Sequence, residues 1–287
     1  MASVSFEVFP PRTPQAEQQL WSALERLAPL DPSFVSVTCG AGGSGTDATL
    51  DALRAISNRT SLRAAGHLTC VGRSRAEIDE AIVRYWAAGV RHIVALRGDM
   101  PEFGARFAPH PRGYASATEL VDAIRRIASF EISVAAYPEP HPDSRTPADD
   151  LEVLSRKADA GATRAITQFC FDTEAIVRLR DRVDQAGIEL AVVPGIMFAT
   201  NFEAVARMAG RCGASVPDWL AARFAGLEDD PQTRKLVAAI VAAAQVEELR
   251  REGFREFHFY TLNQGDVVPA VCRLLDIRPM EQGARAA

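Results

Sequence analysis

Hydrophobic and polar positions along this chain follow two alternating rhythms. Short runs rich in β-branched and aromatic residues recur, and each precedes a longer stretch with Ala, Leu and Arg at helical spacing, the pattern of parallel strands joined by crossover helices. Eight such runs occur: Ser3 to Phe9, Phe34 to Cys39, Arg63 to Cys70, His92 to Leu96, Ile132 to Tyr137, Arg164 to Phe169, Leu190 to Pro194 and Glu256 to Leu262. Each lies about one helix length from the next, and eight is the number that closes a barrel. The pattern predicts an α/β chain folded as a single (β/α)8 TIM barrel over residues 1–287.

Helix punctuation supports this. Asp47 precedes a helical stretch from Ala48 to Ser57, and Ser74 has Glu77 three residues on, a capping-box spacing that opens a helix ending at Gly89. Asn201 to Gly253 is too long for one crossover and predicts several helices, broken near Gly213 to Pro217 and Gly226 to Pro231, as extra helices of the seventh β/α unit. Gly104 to Gly113 reads as a mobile loop after the fourth strand, and the Ala/Gly/Arg C-terminal end as frayed.

Composition narrows the class. Apolar residues at 47% and charged residues at 24% fit a globular enzyme with a packed core, which excludes a disordered chain. The net charge of -5 is scattered and contains no basic block, so no nucleic-acid partner is expected. No apolar run approaches the roughly 18 residues of a membrane span, and the first residues carry neither the basic nor the apolar region of an export signal, so a cytoplasmic location without membrane association is expected. The five cysteines are far apart and lack C-x-x-C pairing, which argues against a disulfide framework or a zinc site.

In a β/α barrel the chemistry gathers where the strands end, because the βα loops converge there. Nearly every predicted strand end carries a polar residue: Glu7, Thr38, His67, Arg97-Gly98-Asp99, Tyr137 with His141, Gln168, and Tyr260 with Asn263. Glu7 lies between Phe6 and Val8, and burial in such company disfavours the charged form, which suits a general acid; it could equally face outward or pair with an arginine. His67, standing alone, reads more readily as a satisfied core histidine. The glycine of Arg97-Gly98-Asp99 permits close approach to a ligand, with Asp99 either fixing a polar heterocycle or pairing with Arg97. Asp150, Arg156 and Lys157 could serve a phosphate, Lys157 as a point charge, or form a solvated helix face. Gly40, Gly42, Gly43 and Gly45 match neither dinucleotide nor triphosphate fingerprints, no G-x-S-x-G elbow is present, and His92, His110 and His258 lack partners at metal-ligand spacing. No catalytic metal is expected.

Seven segments carry more specific information: Ser5-Phe6-Glu7-Val8-Phe9-Pro10-Pro11-Arg12, Phe34 to Thr38, His67 to Cys70, Arg91 to Asp99, Ser133 to Glu139, Ala165 to Phe169, and Phe257 to Asn263. In order, from about Val4 to Pro279, they closely resemble the bacterial methylenetetrahydrofolate reductases. The resemblance implies FAD at the C-terminal face and a ping-pong cycle. NADH or NADPH first reduces the flavin, and 5,10-methylenetetrahydrofolate is then reduced to 5-methyltetrahydrofolate, in one-carbon metabolism and methionine supply. By matching position, Glu7 is similar to the acid that opens the folate five-membered ring, and Asp99 to the residue beside flavin and pterin that favours a cationic intermediate. Gln168 resembles the amide serving folate and nicotinamide in turn, and Thr38 a nicotinamide contact; Tyr260 and Gln264 fall on the substrate side. For FAD the matching positions are Cys39, His67, Arg97, Gly98, Asp99, Tyr114, Ala115, Tyr137, His141, Asp150, Arg156 and Lys157. Homo-oligomerisation is expected by analogy.

Departures from the family pattern cluster on the folate side. Gln264 stands where arginine is usual and Ala204 where a glutamine is, Ile196 to Thr200 replaces a proline-bearing loop, and the Asp99–Tyr114 loop is longer. They leave two further readings: the same flavoenzyme working mainly in the oxidative direction on 5-methyltetrahydrofolate, or a non-catalytic flavin- or folate-binding relative, against which Glu7 and Asp99 both argue.

Overall fold

The computed structural model describes residues 2–39, 45–100, 102 and 105–279. Gly40, Gly42, Gly43, Gly104 and the end of the chain from residue 280, to which the sequence reading assigned loops and a frayed terminus, lie outside the described residues.

Among the described residues nine strands form one parallel ladder: β1 (Ser3–Val8), β2 (Val35–Val37), β3 (Ala64–Thr69), β4 (His92–Leu96), β5 (Glu131–Ala136), β6 (Arg164–Thr167), β7 (Ala191–Val193), β8 (Gly195–Met197) and β9 (Glu256–Tyr260). Their order is β7-β6-β5-β4-β3-β2-β1-β9-β8, a nearly closed β/α barrel. The two ends of the ladder are β7 and β8, which flank Pro194. β7 pairs with β6 and β8 with β9, so one stretch of chain serves both edges of the seam. Proline explains the division: with no N–H to give, it interrupts the ladder, although its carbonyl still accepts the His258 N–H at 2.9 Å. The predicted seventh strand stopped at Pro194, whereas pairing resumes beyond it through Met197.

Alternation sorts the side chains of each strand. In β1, Val4, Phe6 and Val8 join Leu20, Leu24 and the rest of the large cluster between strands and helices, while Ser5 and Glu7 face the barrel interior. A separate small cluster of Phe34, Ala65, Val94 and Ile166 fills that interior below the site. At the N-terminal mouth the Arg164 guanidinium joins Glu131, and its Nε donates to Glu256 at 3.4 Å.

The outer layer follows its caps. α1 (Pro14–Leu27) starts on a Thr13 cap, and α2 spans Thr46–Arg59. α2 begins earlier than predicted, with Gly45 as the cap and Asp47 inside the first turn, where a carboxylate favours the positive end of the helix. In α3 (Arg75–Ala87) both halves of the Ser74–Glu77 capping box are formed. α4 (Ala117–Ile127), α5 (Pro147–Asp159) and α6 (Thr173–Gln185) complete the next crossovers. Three helices lie between β8 and β9: α7 (Phe202–Cys212), ended by left-handed Gly213, α8 (Asp218–Phe224), and α9 (Pro231–Arg251), which starts from an Asp230 cap with proline in its first turn. α10 (Val268–Leu274) follows β9. Among the described residues no helix is long and apolar enough to cross a membrane.

Candidate active site

Glu7 stands one residue from the C-terminal end of β1. Its apolar sequence neighbours Phe6 and Val8 lie on the opposite face of the strand, so they are not its surroundings, as the linear sequence had suggested. Two imidazoles are. His67 Nε2 is 3.3 Å and His258 Nε2 3.8 Å from Glu7 Oε2, with the carboxyl side chain 15% exposed. Burial lowers the His67 pKa, and the Glu7 charge offsets this only in part. The other His258 nitrogen, Nδ1, lies 2.7 Å from Ser5 Oγ, so His258 sits between a hydroxyl and a carboxyl. Sequence reading missed His258 and Ser5 as site residues. The available signal was the i, i+2 spacing of Ser5 and Glu7, which puts both on one face, together with the register that sets Ser5 beside His258.

Among the described residues, the buried polar atoms Thr38 Oγ1, His67 Nε2 and His258 Nε2 have no hydrogen-bond partner. A buried polar atom left unpaired costs about 1–3 kcal/mol; His67 and His258 belong to β3 and β9, and Thr38 directly follows β2. Such a cost is tolerated where a ligand makes the missing bonds.

The second wall comes from the ends of β4 and β5. Gly98 has φ +81°, and a Cβ there would lie 2.6 Å from Val71 Cγ1, so only glycine fits the turn that splays Arg97 from Asp99. The two do not pair: Arg97 Nη1 bridges Asp143 Oδ2 at 2.8 Å, with its guanidinium 4.6 Å from the Phe107 ring centre, and Asp99 is exposed. The negative field of Asp99 helps to raise the Tyr137 phenol and to push the Cys212 thiol up to about 11, in both cases after burial, the larger cause. The Tyr260 phenol, raised chiefly by burial, feels Glu7 and Tyr137 together. Glu7 and Asp99 are thus linked electrostatically through Tyr260 and Tyr137.

Tyr137 packs edge-on against His141, ring centres 4.6 Å apart. Asp150 accepts the His141 N–H at 3.0 Å and the Ser144 hydroxyl at 2.5 Å. Lys157 is buried, not on a solvated face: its Nζ donates to the Ala135 carbonyl at 2.8 Å, and burial lowers its pKa to about 8 against the opposing pull of Asp150. Arg97, Tyr137, His141, Asp150 and Lys157 thus form one cluster of two cations, two aromatic rings and a carboxylate beside the β4 and β5 ends. Arg156 instead lies on the exposed side of α5, 3.8 Å from Glu152. The Tyr114 hydroxyl donates to Asp79 at 2.7 Å beneath Arg75, and the Ala115 N–H to Glu119 at 3.1 Å, so these groups already have partners in the seam between α3 and α4. Cys39 lies two residues past β2, its sulfur 4.0 Å from Thr46 Oγ1.

On the remaining side, Tyr260 donates to the Thr167 carbonyl at 2.7 Å. Its ring lies so close to Gly195 that a Cβ there would meet Tyr260 Cε2 at 2.5 Å. Gln168 turns its carbonyl to the Phe169 N–H at 3.0 Å, which leaves its NH2 group available. Gln264 accepts from the Thr200 hydroxyl at 2.9 Å. Tyr137, Glu139, Gln168, Phe169 and the Cys212–Ala214 turn line a narrow groove with no room for a water molecule between its walls. Asn263 does not face the site; its amide is bonded to the backbone of Phe9.

A sequence profile described as methylenetetrahydrofolate reductase matches residues 1–276. The 5,10-methylenetetrahydrofolate reductases of Pectobacterium carotovorum subsp. carotovorum and Escherichia coli K12 are each 47% identical over 277 residues, covering 96% of this chain and 91% and 92% of theirs. Methylenetetrahydrofolate reductase (NADH) 1 of Arabidopsis thaliana is 35% identical over 90% of this chain, which spans 46% of that protein. A crystal structure of 2,3-dimethylmalate lyase, of the PEP mutase/isocitrate lyase superfamily, superposes with a TM-score of 0.53 over 96% of this chain and 80% of its own at 11% identity, a likeness of fold alone.

Proposed function

Because the chain belongs to the methylenetetrahydrofolate reductase family, we propose that it is an FAD-dependent oxidoreductase reducing 5,10-methylenetetrahydrofolate to 5-methyltetrahydrofolate, with NADH or NADPH as electron donor in a ping-pong cycle. The observation that carries this reading is the buried polar group of Glu7, His67 and His258, with Thr38 Oγ1 unbonded nearby, at the same strand ends as the Arg97–Lys157 cluster. It offers a place for a planar polar ring, with cationic and dipolar groups to one side for a phosphate-bearing tail. Residues suited to hold FAD are Arg97, Gly98, Tyr137, His141, Asp150 and Lys157, with His67 and Asp99 at the ring and Cys39 at the rim. Tyr114, Ala115 and Arg156, matched by position only, have their polar groups engaged by Asp79, Glu119 and Glu152. When bound, FAD supplies a two-electron carrier that takes hydride from nicotinamide and returns it to folate.

The protein's own part is proton and charge management. Glu7, held between two imidazoles, gives a proton to a folate nitrogen, so that the five-membered ring opens to an iminium cation ready to accept hydride. His258 and Ser5 form a short acid–base series through which that proton is replaced. Asp99 lends negative charge to the cation as it forms. Gln168 presents its amide to whichever of nicotinamide and folate is seated, and Thr38, Tyr260 and Gln264 border the same space. A folate, a nicotinamide and a flavin are the partners this reading requires.

Glu7→Gln tests it. The flavin spectrum of the loaded variant should still bleach with NADH, while its restoration by methylenetetrahydrofolate should be slowed by a factor on the order of 10² to 10⁴. Equal loss of both half-reactions at normal FAD content would refute the role of the acid.

A further inference from the structure

The turn after β9 is built at conformational cost. Among the described residues four non-glycine positions have positive φ: Asp31, Leu262, Asn263 and Asp276. Aspartate and asparagine tolerate this region; leucine does not. Leu262 (φ +50°) and Asn263 (φ +57°) occupy the two central positions of one turn, closed by the Gln264 N–H on the Thr261 carbonyl at 2.8 Å. Two consecutive left-handed residues make a turn of the primed type, for which asparagine or glycine is the ordinary choice. Strain of about 1–3 kcal/mol persists only where the surroundings over-determine it, as here, where Leu262 packs on the Phe169–Phe224 cluster.

This turn grips the strand that bears the acid. The Glu7 carbonyl accepts from both the Thr261 hydroxyl at 2.6 Å and the Thr261 N–H at 3.3 Å. Two residues on, the Phe9 N–H donates to Asn263 Oδ1 at 2.8 Å, and the Phe9 carbonyl accepts from Asn263 Nδ2 at 3.1 Å. The β1–β9 ladder ends at the Glu7–Tyr260 pair. Beyond it, the Asn263 amide takes the place of the next strand residue, and only the left-handed backbone turns that amide back onto Phe9.

We propose that Asn263 is a positioning residue for Glu7. By clamping Phe9, with Thr261 clamping Glu7 itself, it fixes the end of β1 so that the carboxyl stays between His67 and His258. This rests on the reading of Glu7 as the folate acid.

The test uses the FAD-loaded protein and resolves its two half-reactions. Asn263→Gly keeps the left-handed turn and deletes both amide bonds. Expected are a folate half-reaction slower by about tenfold or more, since small misplacements of a reacting group are costly, an unchanged KM for folate, flavin reduction by NADH within about twofold of the parent, and faster amide exchange in the Ser5–Phe9 segment. Thr261→Val should act in the same direction. Asn263→Asp, which retains the acceptor for the Phe9 N–H, should recover part of the rate. A folate half-reaction within about twofold of the parent in Asn263→Gly, or equal slowing of both halves, overturns the proposal. Glu7→Gln in parallel keeps the two claims apart: if it still reduces folate, the acid assignment fails, whereas if it is inactive while Asn263→Gly is normal, only the clamp fails.

Discussion

Lys157 gives the sharpest quantitative test of the cofactor reading. Its pKa of about 8, against an ordinary 10.5, means that burial disfavours the ammonium form by roughly 3 kcal/mol. An anionic cofactor tail favours the charged lysine, so affinity should fall as pH rises through the pKa of the cofactor-free protein, near 8, and not near 10.5. If the neutral amine contributed nothing, the dissociation constant at pH 9 would exceed that at pH 7 by about tenfold, or about 1.4 kcal/mol. Titrating the apoprotein with FAD and following flavin fluorescence across pH 6.5–9.5 measures this directly. Lys157→Met should bind weakly with a flatter profile. Lys157→Arg, which does not titrate in this range, should flatten the profile whatever its affinity. A wild-type curve superposable on that of Lys157→Met after vertical scaling would refute the reasoning, because the slope would then belong to another group.

Three further outcomes follow from the packing. Gly195→Ala should displace Tyr260, since the added Cβ would also lie 2.3 Å from the Thr167 carbonyl; thermal unfolding should show a loss of about 1–3 kcal/mol. Ser5→Ala removes the group 2.7 Å from His258 Nδ1 and should lower the folate half-reaction by about tenfold with little change in FAD affinity, read by stopped-flow absorbance. Burial lowers the His92 pKa to about 4, with Nε2 2.8 Å from Ser133 Oγ. The unfolded chain takes up that proton near pH 6.5 and the folded one only near 4, so the stability contributed is full above 6.5 and declines as pH falls between the two. His92→Gln should flatten denaturant midpoints over that interval, and an unchanged acid slope would rule the assignment out.

Much of the architecture was legible because it depends on local periodicity. Alternation in Val4–Val8 and capping at Ser74 are written in adjacent residues, and the breaks at Gly213 and Pro231 need only the backbone preferences of those residues. The seventh strand was half seen: Pro194 marks the end of one pairing and hides the start of another. For the candidate site, the sequence offers positions but not their partners. Glu7 was singled out, yet its environment was inferred from residues that alternation sends to the other face. His258, 251 positions away, became its neighbour only through the closure of the barrel. Arg97 and Asp99 look like a pair in the sequence, but Gly98 turns them apart and Asp143 from the next loop takes the arginine. Lys157 occupies a helix end rich in charge, and only the packing of α5 on β5, with the ammonium on the Ala135 carbonyl, decides that it is buried.

The pairing of β1 with β9 carries a consequence for synthesis. Ser5, Glu7 and Phe9 are made well before His258, Thr261 and Asn263, which surround and grip them and come more than 240 residues later. Throughout translation the acid-bearing segment has an uncovered flank and no imidazole from β9 beside it. The capacity for proton transfer therefore arises in one late event, when the last strand docks, and a ribosome-stalled chain ending before Glu256 should hold most of the fold's helices while lacking its chemistry.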